Sequence, residues 1–272
     1  MSEPLLAIQN LCIKDKVGET SFLKSVNIEI SKGEIVGLIG ESGSGKSLTA
    51  RAIMGLLPLE MKKSGRIIYQ NQNLLTLPSK DHRKLLGKEI GMIFQDYRGS
   101  FTPFIKVGKQ IVETICTHQF ITKKEAKKIA FQVLEEMGLD SKRVYRSYPF
   151  QLSGGQVQRA AMAMILALKP SLLICDEVTT ALDVINGEKV LNYIDKVCQE
   201  TGCAVLMITH DLAQAYKRTD RLYVMQQGEI VEEGFPEQIR CHHKHPYTKK
   251  LCACLLSLPK ADSFQTERVS TL

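Results

Sequence analysis

The sequence predicts an α/β fold: a mostly parallel sheet flanked by helices, with a mostly helical lobe inserted in it. Three observations carry this. Residues 35–39 form a continuous apolar run of the kind buried on both faces of a parallel sheet, and a glycine-serine loop and a helical stretch follow it directly. Residues 172–175 form a second such run, ending on two adjacent carboxylates, Asp176 and Glu177. Between the two runs, residues 107–138 turn to helical spacing, an insertion in the α/β rhythm.

Taken in order, residues 5–13 are short and apolar, and residues 25–30 alternate apolar with polar, so both read as strands of a half-buried sheet. Residues 31–33 supply a turn before the buried strand 35–39. The stretch 48–57 has helical composition and stops at Pro58. Residues 65–69 and 90–94 read as two further strands joined by a polar connector. Within 107–138, Ile129, Ala130, Val133, Leu134 and Met137 share one helical face, and Gly138 is a natural C-terminal stop. After Gly155 the alternation resumes, with helix 157–168, strand 172–175, helix 188–200, strand 203–208 and helix 212–217. Val190, Leu191, Ile194, Val197 and Cys198 make one stripe on the 188–200 helix. Residues 221–225 and 229–233 flank Gln226-Gln227-Gly228 as a hairpin. Beyond Gly234 the chain is rich in His, Lys and Pro and is expected to add little to the main core. The expected organisation is a core of residues 1–94 and 159–234, a helical subdomain of 95–158, and a C-terminal extension of 235–272.

Composition bounds the function. The chain has 272 residues, 44% hydrophobic and 24% charged, within the ordinary range for a soluble globular protein. Its longest apolar run, 160–168, is closed by Lys169 and Pro170, far short of the ~20 residues that a membrane span needs. Any link to a membrane therefore runs through a partner. No basic segment followed by an apolar core is visible at the N-terminus, so no secretory signal is expected. The eight cysteines show no disulfide framework and read as reduced thiols of a cytosolic protein. The net charge of +7 is compatible with nucleic acid, anionic headgroups, an anionic ligand or a plain solvated surface, and alone selects none of them.

Gly40-Glu41-Ser42-Gly43-Ser44-Gly45-Lys46-Ser47, followed by Leu48, fits G-x-x-x-x-G-K-[ST]. The glycines let the backbone wrap closely and aim N–H groups at phosphate oxygens. Lys46 can reach the β- and γ-phosphates, and the Ser47 hydroxyl can bind Mg²⁺. The helix that follows turns its positive end toward the same anion. At an average glycine frequency of about 7%, a chain of this length carries the pattern by chance on the order of one time in a hundred.

Asp176 ends a buried strand, where ligands bind in doubly wound sheets, and is expected to hold Mg²⁺ through water. Glu177 points the other way along the pleat and can polarise an attacking water. An apolar run ending in Asp-Glu is often no more than a strand meeting a charged turn; the phosphate loop upstream makes the paired roles the better account.

Leu152-Ser153-Gly154-Gly155-Gln156, preceded by Tyr148-Pro149 and followed by Gln158-Arg159, resembles the signature sequence of ABC ATPases. It lies between the phosphate loop and the Asp-Glu pair, as in that family. Physically it is a second phosphate site, a serine hydroxyl and glycine N–H groups at a helix start. The resemblance implies the ABC ATPase architecture, a P-loop NTPase (RecA-like) core with an antiparallel β subdomain and an inserted α-helical subdomain, and ATP and Mg²⁺ as cofactors. It also implies that Ser153, Gly154, Gly155 and Gln156 close on the ATP of a second subunit. Gln95 resembles the glutamine that senses Mg²⁺ and water and joins the core to the helical lobe. Ala181-Leu182-Asp183 resembles the loop that carries an aspartate into the dimer interface, and His210 resembles the histidine that contacts the γ-phosphate. By this resemblance the catalytic residues are Glu177, His210 and Gln95, and the metal is held by Ser47, Gln95 and Asp176.

Two departures stand out. Val178 replaces the proline that usually follows the Asp-Glu pair. In addition, the position that carries an adenine-stacking aromatic in the family is here Val17, with Phe22 nearby.

Gly87 to Gln95, Ser100-Phe101-Thr102-Pro103 and His245-Pro246-Tyr247-Thr248 are similar to the peptide/nickel importer branch. Cys241, Cys252 and Cys254 lack the spacing of an iron–sulfur ligand set, which favours the shorter nickel or metallophore type. The resemblance implies a related second ATPase, two integral permeases, an external solute-binding protein acting indirectly, no nucleic acid, and a place on the cytoplasmic face of the membrane. The alternative is a soluble ABC ATPase acting on ribosomes or nucleic acid. Such proteins usually carry two ATPase domains or a long inserted coiled coil, and neither fits this length with one signature motif.

Overall fold

The computed structural model describes residues 3–180 and 182–256. Two sheets form the frame. In the first, β1 (Leu6–Lys14) pairs antiparallel with β2 (Ser21–Ile30) on one side and β4 (Lys62–Tyr69) on the other, and the short β5 (Gln72–Asn73) closes the order β2-β1-β4-β5. β2 begins earlier than its alternation suggests. Lys24 and Ser25 are both exposed, and Ser25 takes a φ of +54, so an irregularity hides the strand's first half from a period-2 reading.

The second sheet has the order β10-β9-β3-β8-β7-β6, made of β3 (Ile35–Ile39), β6 (Ile90–Ile93), β7 (Leu172–Asp176), β8 (Ala204–Thr209), β9 (Arg221–Gln226) and β10 (Glu229–Gly234). Strands β6, β7, β8, β3 and β9 run parallel, and β10 returns antiparallel on β9 as the expected hairpin. Every residue of β6, β7 and β8 is buried, which is why these strands read as unbroken apolar runs. Leu173, Cys175, Val205 and Met207 face the helical side, while Leu172, Ile174, Leu206 and Ile208 face the antiparallel sheet. Each such side chain contributes roughly 1.5–3 kcal/mol by leaving water.

Four helices lie between β6 and β7: α3 (Val107–His118), α4 (Lys123–Glu136), α5 (Ser141–Arg146) and α6 (Gly154–Leu166). The helical stretch expected over 107–138 is two helices. The break falls where Thr122 accepts from Glu125 N–H and the Glu125 carboxylate accepts from Thr122 N–H, a capping box that starts α4. The remaining helices are α1 (Lys46–Ile53), α2 (Ser79–Leu85), α7 (Val184–Thr201), α8 (Leu212–Arg218), α9 (Pro236–Cys241) and α10 (Pro246–Leu256). α7 starts four residues before its apolar stripe suggests, because Asp183 caps it by accepting from Asn186 N–H at 2.9 Å.

Residues beyond Gly234 join neither of the two large core clusters, but they complete a third, smaller one. Ile239, Tyr247 and Cys252 are buried, and Ile239 and Tyr247 form one cluster with Ile39, Leu212, Leu222 and Val224. Tyr247 and Leu251 sit one helical turn apart on α10, so a short amphipathic helix docks here under a polar, His-rich sequence. Residues 257–272, the rest of the extension, lie outside the described residues.

Candidate nucleotide site

The parallel register brings Ile39 opposite Thr209, Asp176 opposite Ile208 and Ile93 opposite Cys175, so the carboxyl ends of β3, β6, β7 and β8 finish along one edge. The phosphate loop leaves β3 at this edge. Gly40 has a φ of +153, and a Cβ there would lie 2.2 Å from the Met225 carbonyl oxygen; Gly45 has a φ of +113, with Leu23 at 2.6 Å from the same added atom. Only glycine fits either place. Lys46 opens α1 and is buried, its Nζ donating to Gly40 O at 2.8 Å, Glu41 O at 2.7 Å and Ser44 Oγ at 3.3 Å. Burial pulls its pKa below the usual lysine value, against the charges of Glu177, Asp176 and Glu41, which act to raise it.

Asp176 ends β7, buried, and accepts from Ser47 Oγ at 3.0 Å. Burial raises its pKa, opposed first by the Ser47 hydroxyl. Glu177 takes a φ of +50, a conformation that costs a non-glycine residue ~1–2 kcal/mol, while its N–H still donates to Ile208 O at 3.0 Å. Its Oε2 accepts from Gln95 Nε2 at 2.9 Å and from Thr180 Oγ1 at 3.4 Å, and its Oε1 lies 3.2 Å from His210 Nδ1. The carboxylate is thus held from two sides, by Gln95 two residues past β6 and by His210 directly after β8.

A cleft of ≈ 600 Å³ collects these groups. Ser42, Gly43, Gly45, Lys46, Ser47 and Leu48 line one wall, Gln95, Glu177 and His210 the other, and Phe22 lies at the rim. Gly40, Glu41 and Ser44 complete the loop behind this wall through their contacts with Lys46. Phe22, not the exposed Val17, is the aromatic side chain that borders the cleft.

The signature residues are not brought to this cleft. Ser153 caps α6, with Gln156 N–H donating to Ser153 Oγ at 3.4 Å and Ser153 N–H donating to Gln156 Oε1 at 3.0 Å. Gly154 packs so close to the Tyr97 hydroxyl that an added Cβ would lie 2.6 Å from it, and Gly155 faces Leu182. Asp183 is engaged in capping α7, and Ala181, two residues before it, lies outside the described residues. Two contributors escaped the sequence reading. Thr180 touches Glu177, and Gln158 donates to Val178 O at 2.9 Å, tying the signature helix to the segment just after Glu177. Neither residue type signals such a contact without the fold.

A phosphate loop facing a buried carboxylate, a second carboxylate and a histidine across one cleft defines a nucleotide-hydrolysing enzyme of the P-loop class. The family profile described as ABC transporter matches residues 23–180, and this chain belongs to that family. The metal-staphylopine import system ATP-binding protein CntD of Staphylococcus aureus is 40% identical over 248 residues, covering 91% of this chain and 92% of that protein. The oligopeptide transport ATP-binding protein OppD of Bacillus subtilis is 41% identical over 274 residues, 98% of this chain and 75% of that one. Among solved structures, the dimeric post-hydrolysis state of the ATP-binding cassette MJ0796 with ADP and phosphate matches with a TM-score of 0.77 at 30% identity, over 85% of this chain and 98% of that one. The chain is an ATP-binding, ATP-hydrolysing transport subunit, and no helix among the described residues is long and apolar enough to cross a membrane.

Proposed function

We propose that this chain powers an importer of short peptides or metal chelates, hydrolysing ATP in the cleft between the loop 40–48 and the Gln95, Glu177 and His210 side chains. The observation that carries the reading is the convergence of a phosphate loop, the Ser47–Asp176 pair and the Glu177 carboxylate on one cleft. The named functions of the relatives, metal-staphylopine import and oligopeptide transport, support the cargo class.

The donor set suits Mg²⁺. The Ser47 hydroxyl and a buried Asp176 oxygen lie 3.0 Å apart, and Gln95 borders the same cleft with its Nε2 donating to Glu177. Bound there, the ion would neutralise charge on the phosphates. The chain's own groups do the rest. Lys46 leaves its loop carbonyls for the β- and γ-phosphates. Glu177 accepts a proton from the water whose oxygen bonds to the γ-phosphorus as the bond to the β-phosphate oxygen breaks. His210, beside that carboxylate, contacts the γ-phosphate.

The placement of Ser153, Gly154, Gly155, Gln156 and Asp183 away from the cleft supports a head-to-tail pair, in which each subunit's signature covers the other's ATP. We assign the second subunit to a related ATPase. On this reading residues 1–94 and 159–234 act as the core, 95–158 as the helical subdomain and 235–272 as the extension. A groove of ≈ 230 Å³, bordered by Phe94, Tyr97, Ser100 and Gln158, would receive a short helix from one of two integral permeases at the cytoplasmic face of the membrane. An external binding protein would deliver cargo to those permeases.

The test is affinity purification of the tagged Glu177→Gln chain from native membranes with ATP. Two integral membrane proteins and a second ATPase are expected to co-purify. Recovery of soluble partners alone would sink the transporter reading and leave the ATPase.

A further inference from the structure

Tyr247 lies in the first turn of α10, its ring buried against Ile39, Leu212, Leu222 and Val224. Its hydroxyl accepts from the backbone N–H of Glu41 at 2.8 Å, a contact made across 206 positions of sequence. That N–H belongs to the same peptide unit as the Gly40 carbonyl, which accepts from Lys46 Nζ at 2.8 Å. The Gly40–Glu41 peptide is therefore gripped at both ends, by the lysine of its own loop and by a tyrosine of the C-terminal extension. It has no slack on a third side, because a Cβ at Gly40 would lie 2.2 Å from Met225 O.

The segment that carries Tyr247 is itself tied down. The N–H groups of Lys244 and His245 donate to the Glu232 carboxylate at 2.6 and 3.1 Å, and Cys252 Sγ lies 3.1 Å from the Tyr216 hydroxyl on α8. α8 is the helix that follows His210. One short helix thus touches the phosphate loop directly and packs on the element behind the histidine of the opposite wall.

We propose that Tyr247 is a positioning residue for the nucleotide: its hydroxyl fixes the Gly40–Glu41 peptide and, through it, the curvature of the loop and the starting point of Lys46. The extension then sets nucleotide affinity as well as adding to the core. The inference rests on the reading of residues 40–48 as the phosphate site. It explains why a tyrosine, and not merely an apolar ring, stands at this place. A phenylalanine would fill the same cluster but leave the Glu41 N–H without its acceptor.

The test compares the purified full-length wild type, Tyr247→Phe and Tyr216→Phe. Tyr216→Phe removes a hydroxyl from the same packed interface without touching the loop. Tyr247→Phe is expected to raise the Kd and KM for ATP about three- to tenfold, the range for one lost neutral hydrogen bond, with kcat within about twofold of wild type. Without nucleotide, both variants should melt within about 2 °C of wild type, a difference worth less than ~1 kcal/mol in a chain of this size, and Tyr216→Phe should bind ATP normally. Wild-type affinity in Tyr247→Phe would overturn the inference. So would equal losses of affinity in both variants alongside a lowered melting temperature, because the hydroxyl would then serve packing alone. A wild-type chain that bound no ATP would take down the phosphate-site reading, and this inference with it.

Discussion

Gln95 Nε2 donates to Glu177 Oε2 at 2.9 Å, joining the segment that follows β6 to the carboxylate in the cleft. The bond spans two strand ends, β6 and β7, that meet only because they pair in the sheet. Any shift of the 95–104 segment is therefore felt at Glu177. The carboxylate also has His210 at 3.2 Å on its other oxygen, so its direction is set from both flanks.

Gln95→Ala removes one of those flanks and leaves the phosphate wall intact. Hydrolysis should fall about tenfold, the worth of one charge-assisted hydrogen bond, while ATP binding stays within about threefold of wild type. Gln95→Glu should be worse, since it sets a second carboxylate against Glu177. Single-turnover kinetics and equilibrium binding, measured side by side, separate the two effects. Equal activity in all three proteins would show that Gln95 does not orient the carboxylate.

Phe22 borders the cleft where the family pattern would place an aromatic nearer Val17. An aromatic face beside a base contributes about 1–3 kcal/mol, so Phe22→Ala should weaken ATP binding by about fivefold or more. Val17→Ala should change nothing, because Val17 is exposed and does not line the cleft. Inorganic tripolyphosphate is the control, for its affinity should be the same in all three proteins. A parallel loss with tripolyphosphate would place the effect of Phe22 on the loop and not on the base.

Much of this site was legible because the chemistry is local in sequence. The loop from Gly40 to Ser47 and the pair Asp176-Glu177 each sit within a few residues of their own strand or helix end, as does the capping serine Ser153, which stands outside the cleft. What escaped was non-local. Nothing in the sequence ties Tyr247 to Glu41, or Gln158 to Val178, since those contacts exist only once separate elements pack. The early start of β2 was hidden by the irregularity at Ser25, and the break between α3 and α4 by a continuous helical pattern that a capping box interrupts.

Asp176 is buried with its pKa raised, so its ionised form costs the fold stability. Its neutral form is favoured in the folded chain, and that contribution is complete below the ordinary carboxyl value of 3.8 and is lost as pH rises through the elevated value. Asp176→Asn should therefore melt above wild type at pH 7 without nucleotide, with the gain shrinking toward zero as pH approaches 3.8. The same variant should lose about 10- to 100-fold in Mg²⁺-dependent hydrolysis, the range for residues that hold a metal through its outer shell. A variant no more stable than wild type at pH 7 would mean that the Ser47 hydrogen bond and Lys46 fully compensate the burial.

Arg218 closes α8 with its side chain 2% exposed, and it bonds to Glu188, Asp195 and Asn192 of α7 and to Gln214 of its own helix. The contact locks the helix after Asp183 to the helix after His210. Glu188 has a second cation in Lys217, at 2.6 Å, whereas Asp195 has no other cation among the described ion pairs. Arg218→Met should therefore destabilise by about 3 kcal/mol, chiefly by stranding Asp195, and lower the melting temperature by about 6–12 °C. The double variant Arg218→Met with Asp195→Leu should recover most of the loss, because removing both charges of a buried pair is often neutral. Thermal melting of both variants decides it. If the two losses simply add, the network stabilises through packing of the arginine stem, and Asp195 is not the group left stranded.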